Sequence, residues 1–309
     1  MSTAGGPLDG IELRPATSAD LAACEQIWRA GLNGYLGPMG LPDVGADNPG
    51  LRRLHAHTLA TDPSRFWVAT EERGRAVAFG AAVQRGRVWF LSMLFVEPDV
   101  QARGVGRAIL HRILPSTTDG IVLATVTDTA QPISNALYAS FGIVPRVPLF
   151  NLLGRPRGGW LPPELPAGVH AVEVDQLDPG FVADRDRLDR DVLGFEHPAD
   201  HDFAGGEGRH VFAYRSQHGP VGYGYASEAG RVGPMAVRDP ALMAPAVGHL
   251  LTAVEPRGAS LVWLAGSAGE AMRSTLGAGL RFDGFPLLAC WSSPFADFGR
   301  YVPISPGLL

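Results

Sequence analysis

The order of elements predicted from this sequence occurs twice, and a duplicated order constrains the fold more than any other feature of the chain. In the first copy, IELRPAT (11–17) alternates as a strand, and TSADLAACEQIWRAGL switches to helical spacing with Leu21, Cys24, Trp28 and Leu32 on one face. Thr17 with Asp20 has the form of a capping box. Residues 33–50 hold enough Gly and Pro to read as a mobile loop, and LRRLHAHTLA follows as a second helix. RFWVAT, AVAFGAAVQ and RVWFLSMLFV are three strand candidates with turn signals between them, as in an antiparallel meander. QARGVGRA (101–108) then leads into a helix with Val105, Ile109 and Ile113 four apart, IVLATV reads as a buried strand, ISNALYASFG as a helix closed at Gly142, and IVPRVPLFNLL as a last strand. The order is β-α-α-β-β-β-α-β-α-β. Trp67, Trp89 and Phe90 are expected in the core, while His55 and His57, two apart on a helix, are expected at the surface and its edge.

Residues 154–168, GRPRGGWLPPELPAG, are too rich in Gly and Pro for an element interior and read as a linker. Beyond them HAVEV is a strand, residues 179–192 are a helix with Asp178 as N-cap, and HVFAYRS, VGYGYAS and RVGPMAV are a second meander. Helices near 241–254 and 268–278 alternate with SLVWLA and RFDGFPLLACW. Gly80, Gly86, Arg87 and Val88 recur as Gly224, Gly230, Arg231 and Val232, and Pro98 and Gly106 as Pro240 and Gly248, so the repeat is a duplication with small gaps. The expected organisation is a domain at 1–153, a linker at 154–168 and a second domain at 169–309.

Function classes are narrowed by what the chain lacks. All 26 basic residues are arginine, which removes Schiff-base and P-loop lysine chemistry. A net charge of -5 and 18% charged residues argue against a nucleic-acid partner. Cys24 and Cys290 are the two cysteines, too few for a disulfide framework or a cysteine zinc site. No apolar run reaches the ~18 residues of a membrane span, and MSTAGGPLDG has neither the basic nor the apolar region of a leader. The chain is therefore expected in the cytoplasm, without a membrane partner, and its lysine-free, Arg-, Ala- and Gly-favouring composition suggests a bacterial origin. No motif bears on oligomeric state.

Two glycines between a strand and a helix suit a phosphate, because the bare N–H groups of a helix N-terminus attract an anion and glycine lets it come close. Here the P-loop pattern fails for want of lysine. The dinucleotide fingerprint fails because Ile109 stands where a third Gly or Ala belongs and a meander precedes it.

With VEPDVQARGVGRA after the strand, and Tyr138, Gly142 and Ile143 of ALYASFGI downstream, the sequence resembles the GNAT superfamily of N-acetyltransferases. The resemblance covers residues 11–150 well and 169–290 in degenerate form. It implies an α/β fold of α+β mixed-sheet type: two tandem GNAT-like domains, each a mixed, largely antiparallel sheet flanked by helices. It implies acetyl-CoA as cosubstrate, with the pyrophosphate held by Gln101, Ala102, Arg103, Gly104, Val105, Gly106 and Arg107, and the pantetheine beside Leu94, Phe95 and Val96. Tyr138 would protonate the departing thiolate. Many members carry a Glu on the fourth strand, where WFLSMLFV offers only Ser92; Asp128, or a water held by Ser92 or Thr127, remains as a base, unless the amine arrives neutral. Asp43 and Asp47 lie in the loop that overlies the acceptor in the family, although turn chemistry accounts for them as well. The expected activity is an acyltransferase reaction of EC 2.3.1 type, acetylating a primary amine of a small or amino-acid-like molecule by direct attack. A non-catalytic CoA-binding or sensory protein is the alternative.

In the second copy QARGVG faces MAPAVG, with Met243, Pro245 and Ala246 replacing Gln101, Arg103 and Gly104, and Thr275 standing where Tyr138 stands. One active site per chain, in the N-terminal half, is expected. HPADHDF (197–203) spaces His197 and His201 as zinc ligands would be on a helix, but Pro198 argues for a loop, and no metal is expected.

Overall fold

The computed structural model describes residue 8 and residues 10–309, so most of the stretch inspected for a leader lies outside the described residues. The first copy reproduces the predicted order: β1 (Ile11–Pro15), α1 (Leu21–Leu36), α2 (Pro49–Thr61), β2 (Phe66–Glu71), β3 (Ala76–Arg85), β4 (Val88–Val96), α3 (Val105–Ile113), β5 (Val122–Asp128), α4 (Pro132–Ala139) and β6 (Val144–Gly154). The second copy runs β7 (His170–Val174), α5 (Pro179–Val192), α6 (Pro198–Gly205), β8 (Arg209–Ser216), β9 (Gly219–Ser227), β10 (Arg231–Val237), α7 (Met243–Ala253), β11 (Ser260–Ala265), α8 (Gly269–Ala278), β12 (Arg281–Phe282), β13 (Leu287–Trp291) and β14 (Tyr301–Val302). Among the described residues no helix is long and apolar enough to cross a membrane.

The chain packs as two compact units, one formed by residues up to Gln84 with Trp89–Thr125, the other by Arg85–Val88 with Val126–Leu309. This division differs from the one drawn at 154–168. The reason is β6, which pairs antiparallel with β11 from Gly154 opposite Ser260 to Leu149 opposite Ala265, and on its other side with β13. The last strand of the first copy thus belongs to the sheet of the second unit. Residues 155–168 are not a free linker either. Arg155 donates through Nη2 to the Arg257 carbonyl at 2.7 Å, and the Arg157 N–H donates to the Ala278 carbonyl at 2.7 Å.

In the first unit the strands run in the order β1-β2-β3-β4-β5. The capping box forms as predicted, with the Thr17 N–H donating to Asp20 at 2.8 Å. The same carboxylate takes two bonds from Arg14, at 2.8 and 2.7 Å. On α2 the residues Leu51, Leu54, His55 and Thr58 are buried, the i, i+3, i+4, i+7 set of one helix face. His55 therefore lies in the core rather than at the surface, 0% exposed, edge-on to Phe66 and Phe79, with Nε2 3.1 Å from the Met93 sulfur. His57 is half-buried. Trp89 and Phe90 are core residues as expected, whereas Trp67 points to the other face of β2, half-buried under the Arg112 guanidinium. Residues 33–50 are less irregular than predicted: α1 continues through Gly34 to Leu36, Asn33 accepts from the Val44 N–H at 2.8 Å, and Asp47 pairs with Arg52 at 2.6 Å.

Burial pushes the His55 pKa down to about 4, below the ordinary value near 6.5. The unfolded chain takes up a proton at this residue as pH falls through about 6.5, and the folded protein does not until about 4. Stability is therefore expected to fall across that window, and the His55→Leu variant should lose that component of the slope. Thermal midpoints measured at half-unit pH steps for both proteins check this.

In the second unit the order is β13-β6-β11-β10-β9-β8-β7. Asp178 caps α5 as predicted, accepting from the Phe181 N–H at 2.8 Å. The 198–205 segment is helix α6 rather than a loop, because Pro198 occupies its first turn, where no N–H is needed. The core of this unit gathers Met235, Val237, Leu250, Val262 and Leu264 between sheet and helices.

Candidate active site

The predicted pyrophosphate cradle is an exposed loop between β4 and α3. Along β4 burial gives way at its far end, from Leu91, Ser92 and Met93, which are buried, to Leu94, Phe95 and Val96, which are half-buried. The side chain of Gln101 donates to the Val96 carbonyl at 3.1 Å, tying the loop back to the end of the strand. Ala102 at φ 63 and Gly104 at φ 81 then turn the chain into the helix. A non-glycine residue in that region is uncommon, and such strain gathers at functional sites.

Gly104 is the N-cap of α3 and offers no side-chain cap to the helix. The first helical bond is donated by the Ala108 N–H to the Gly104 carbonyl at 3.0 Å, so the N–H groups of Val105 and Gly106, in the first turn, have no acceptor within the helix. The positive end of the helix dipole adds to them. No atom lies within 4 Å of where a Gly104 Cβ would be. Gln101, Ala102, Arg103, Gly104 and Arg107 are exposed and Gly106 is half-buried, while Val105, Ile109, Leu110 and Ile113 bury the opposite face of α3. Each such side chain contributes about 1.5–3 kcal/mol on burial, and Trp89 donates to the Ile113 carbonyl at 2.9 Å, which secures the far end of the helix. The result is a helix packed along one face with an exposed N-terminal tip.

On the strand side, the Thr125 hydroxyl donates to the Leu91 carbonyl at 2.8 Å. Ser92 and Thr127 are both buried, and Asp128 is half-buried. Tyr138 stands in the second compact unit, on α4, 6% exposed. Burial, with Asp128 and Cys290 adding to it, pushes its hydroxyl well above the ordinary tyrosine range, so it holds its proton at neutral pH. The second unit thus contains the predicted acid, and the first contains all ten predicted cofactor residues.

The equivalent surfaces of the second copy are covered by the chain itself. β10 and β11 pair in parallel only at Arg231 with Leu261 and Val232 with Val262. Beyond that point β14 pairs with β10, Met235 opposite Val302 and Ala236 opposite Tyr301, so the C-terminal segment takes the place between the diverging strands. Tyr301, Val302, Ile304, Leu308 and Leu309 are all buried there. At the start of α7, Met243, Pro245, Ala246 and Gly248 are buried, and Pro162 and Pro163 crowd the position a Gly248 Cβ would take, at 2.9 and 3.0 Å. Sequence reasoning anticipated lost donors in this copy. It had no sign of the plug, because the segment that fills the slot lies some 65 residues along the chain from its partner strand.

Comparison with known proteins gives a family for part of the first copy and a fold for nearly the whole chain. The family described as the acetyltransferase (GNAT) domain matches residues 62–143. A solved structure assigned as an acetyltransferase of Pyrococcus horikoshii is similar over 97% of this chain and 94% of its own, with 17% identity and a TM-score of 0.70. The GCN5-related N-acetyltransferase of Sphaerobacter thermophilus is similar over 94% and 99%, with 15% identity and a TM-score of 0.59. A tandem GNAT protein of the clavulanic acid biosynthesis pathway is similar over 92% and 99%, with 16% identity and a TM-score of 0.52. A search of curated proteins gave no match. At these identities the structural likenesses concern fold. The chain thus carries a GNAT acetyltransferase domain in its N-terminal half and has, along nearly its whole length, the fold of tandem GNAT proteins.

Proposed function

We propose that this protein is an acetyl-CoA-dependent N-acetyltransferase that acetylates a primary amine of a small or amino-acid-like molecule, at one site per chain. The observation that carries this reading is the exposed tip of α3: the first-turn N–H groups of Val105 and Gly106, next to an exposed loop turned by Gly104, against a second copy whose corresponding positions are buried. Acetyl-CoA fits such a tip because its pyrophosphate accepts from those N–H groups, and Arg103 and Arg107 flank it with positive charge. The half-buried Leu94, Phe95 and Val96 supply backbone and apolar surface for the pantetheine.

Amine attack on the thioester carbonyl forms the amide and expels the CoA thiolate, which must gain a proton, while the amine loses one. Tyr138 keeps the acid role, supported by the resemblance and by its protonated state. The base is left to Asp128, to a water held by Ser92 or Thr127, or to an amine that arrives neutral. The lack of a carboxylate along β4 favours the alternative of CoA binding without turnover, and kinetics separate the two.

Calorimetric titration should give one acetyl-CoA per chain, and screening an amine library for thiol release should identify an acceptor. Tyr138→Phe is expected to lower kcat on the order of 10²-fold with little change in acetyl-CoA affinity. Stoichiometric binding with no amine-dependent thiol release would support the non-catalytic alternative, and a folded protein that binds no acetyl-CoA would exclude both.

A further inference from the structure

We propose that Asp189, His197 and His201 form a buried divalent-metal site of zinc type in the second half of the chain. Asp189 lies on α5, His197 is the N-cap of α6 and His201 sits one turn into that helix. One ligand atom from each lies within 4.8 Å of the others, and the three residues are 0–1% exposed. Two imidazoles and a carboxylate are a donor set suited to zinc.

The hydrogen bonding around these groups is that of ligands rather than of a completed polar network. Both ring nitrogens of His197, and Nδ1 of His201, are buried without a hydrogen-bond partner. Such groups are costly to bury, since each forfeits its bonds to water. His197 Nε2 stands 3.4 Å from Asp189 Oδ2. That separation matches the ~3.3 Å between two ligands of one tetrahedral zinc with ~2.0–2.1 Å bonds. His201 Nε2, at 2.8 Å from the same oxygen, would move outward by ~0.5 Å to the same end.

The surrounding groups are placed as supports. Tyr223 donates to Asp189 Oδ1, which leaves Oδ2 to face the two rings. Asp200 Oδ2 is 3.6 Å from His197 Nδ1, and Arg85 holds Asp200 with two bonds at 2.8 and 2.7 Å. Closed to hydrogen-bond distance on metal binding, that gap would let the carboxylate orient the ring and strengthen it as a ligand. Three protein ligands leave one tetrahedral position, which a buried water would take, and the burial of all three keeps substrates from it. The site's effect is to fasten α5 to α6 beneath β9.

The test uses the full chain, expressed without a polyhistidine tag. Elemental analysis should find close to one zinc or related divalent ion per chain. After chelator stripping, Co²⁺ should restore one equivalent with the visible bands of a tetrahedral N/O site and paramagnetically shifted imidazole N–H signals from two histidines. His197→Gln and His201→Gln should each abolish stoichiometric uptake. The proposal is overturned if the folded protein neither contains nor takes up Zn²⁺ or Co²⁺, which would leave a metal-free imidazolium–carboxylate pair. It is also overturned if the His197→Gln/His201→Gln protein binds as wild type does. Should the variants not fold, wild-type Co²⁺ protein lacking histidine-ligated signals overturns it equally.

Discussion

Gly104→Glu is expected to abolish acetyl-CoA binding and leave the protein folded. Folding is tolerated because no atom lies within 4 Å of the new Cβ. The remaining cost is the left-handed backbone at φ 81, about 1–2 kcal/mol for a residue with a Cβ. Binding is not tolerated, because the carboxylate would stand at the N-terminus of α3 and satisfy the N–H groups that the pyrophosphate needs, while repelling the phosphates themselves. Each donor lost to a charged ligand is worth about 1.5–3 kcal/mol, so loss of two places the drop at 10²-fold or more. Gly104→Ala, which carries the same backbone cost and no charge, separates the two effects. Calorimetry on all three proteins, with circular dichroism to confirm folding, makes the comparison. Undiminished binding by the Glu variant would place the cofactor elsewhere.

The second large effect concerns stability and falls on the repeat-related glycine of the second copy. Gly230 closes the turn between β9 and β10 at φ +84, and a Cβ there would stand 2.0 Å from the Ala259 carbonyl oxygen. That atom is backbone at the start of β11, where the Leu261 N–H donates to the Gly230 carbonyl at 2.7 Å, so neither strand can give way without breaking the pairing. Gly230→Ala combines left-handed strain with overpacking and is expected to cost about 3 kcal/mol or more. Gly86, its counterpart, would bring a Cβ 3.0 Å from the Phe195 side chain, at φ +52. That atom is the Phe195 Cβ, which needs to give by only a few tenths of an ångström, against far more for the 2.0 Å approach at Gly230, so Gly86→Ala should cost clearly less. Urea midpoints for the two variants give the ranking, and equal costs would contradict the close approach at Ala259.

Legibility followed the range of the forces involved. The α5 boundaries, the Asp178 cap, the Thr17 and Asp20 box and the first-copy element order were readable because they depend on neighbours within about four residues. His55 was misplaced by considering its spacing from His57 alone; the full set of Leu51, Leu54, His55 and Thr58 marks the buried face. Helix α6 was missed by treating Pro198 as a breaker, although proline suits a first helical turn. For the candidate site, the exposed loop at Gln101–Gly104 and the open α3 tip were both implied by the spacing of the glycines. The place of Tyr138 in the second compact unit was not.

The sequence by itself determined the β-α-α-β-β-β-α-β-α-β order of the first copy, most of its repetition in the second, and a glycine-turned loop before a helix in one copy that is replaced in the other, because local periodicity, turn chemistry and side-chain identity specify them. Only the tertiary structure decided that β6 joins β11 and β13, that β14 fills the slot beside β10, and that Asp189 meets His197 and His201. Those are contacts between segments whose partners are chosen by burial and register across the whole chain, and no short-range pattern records that choice.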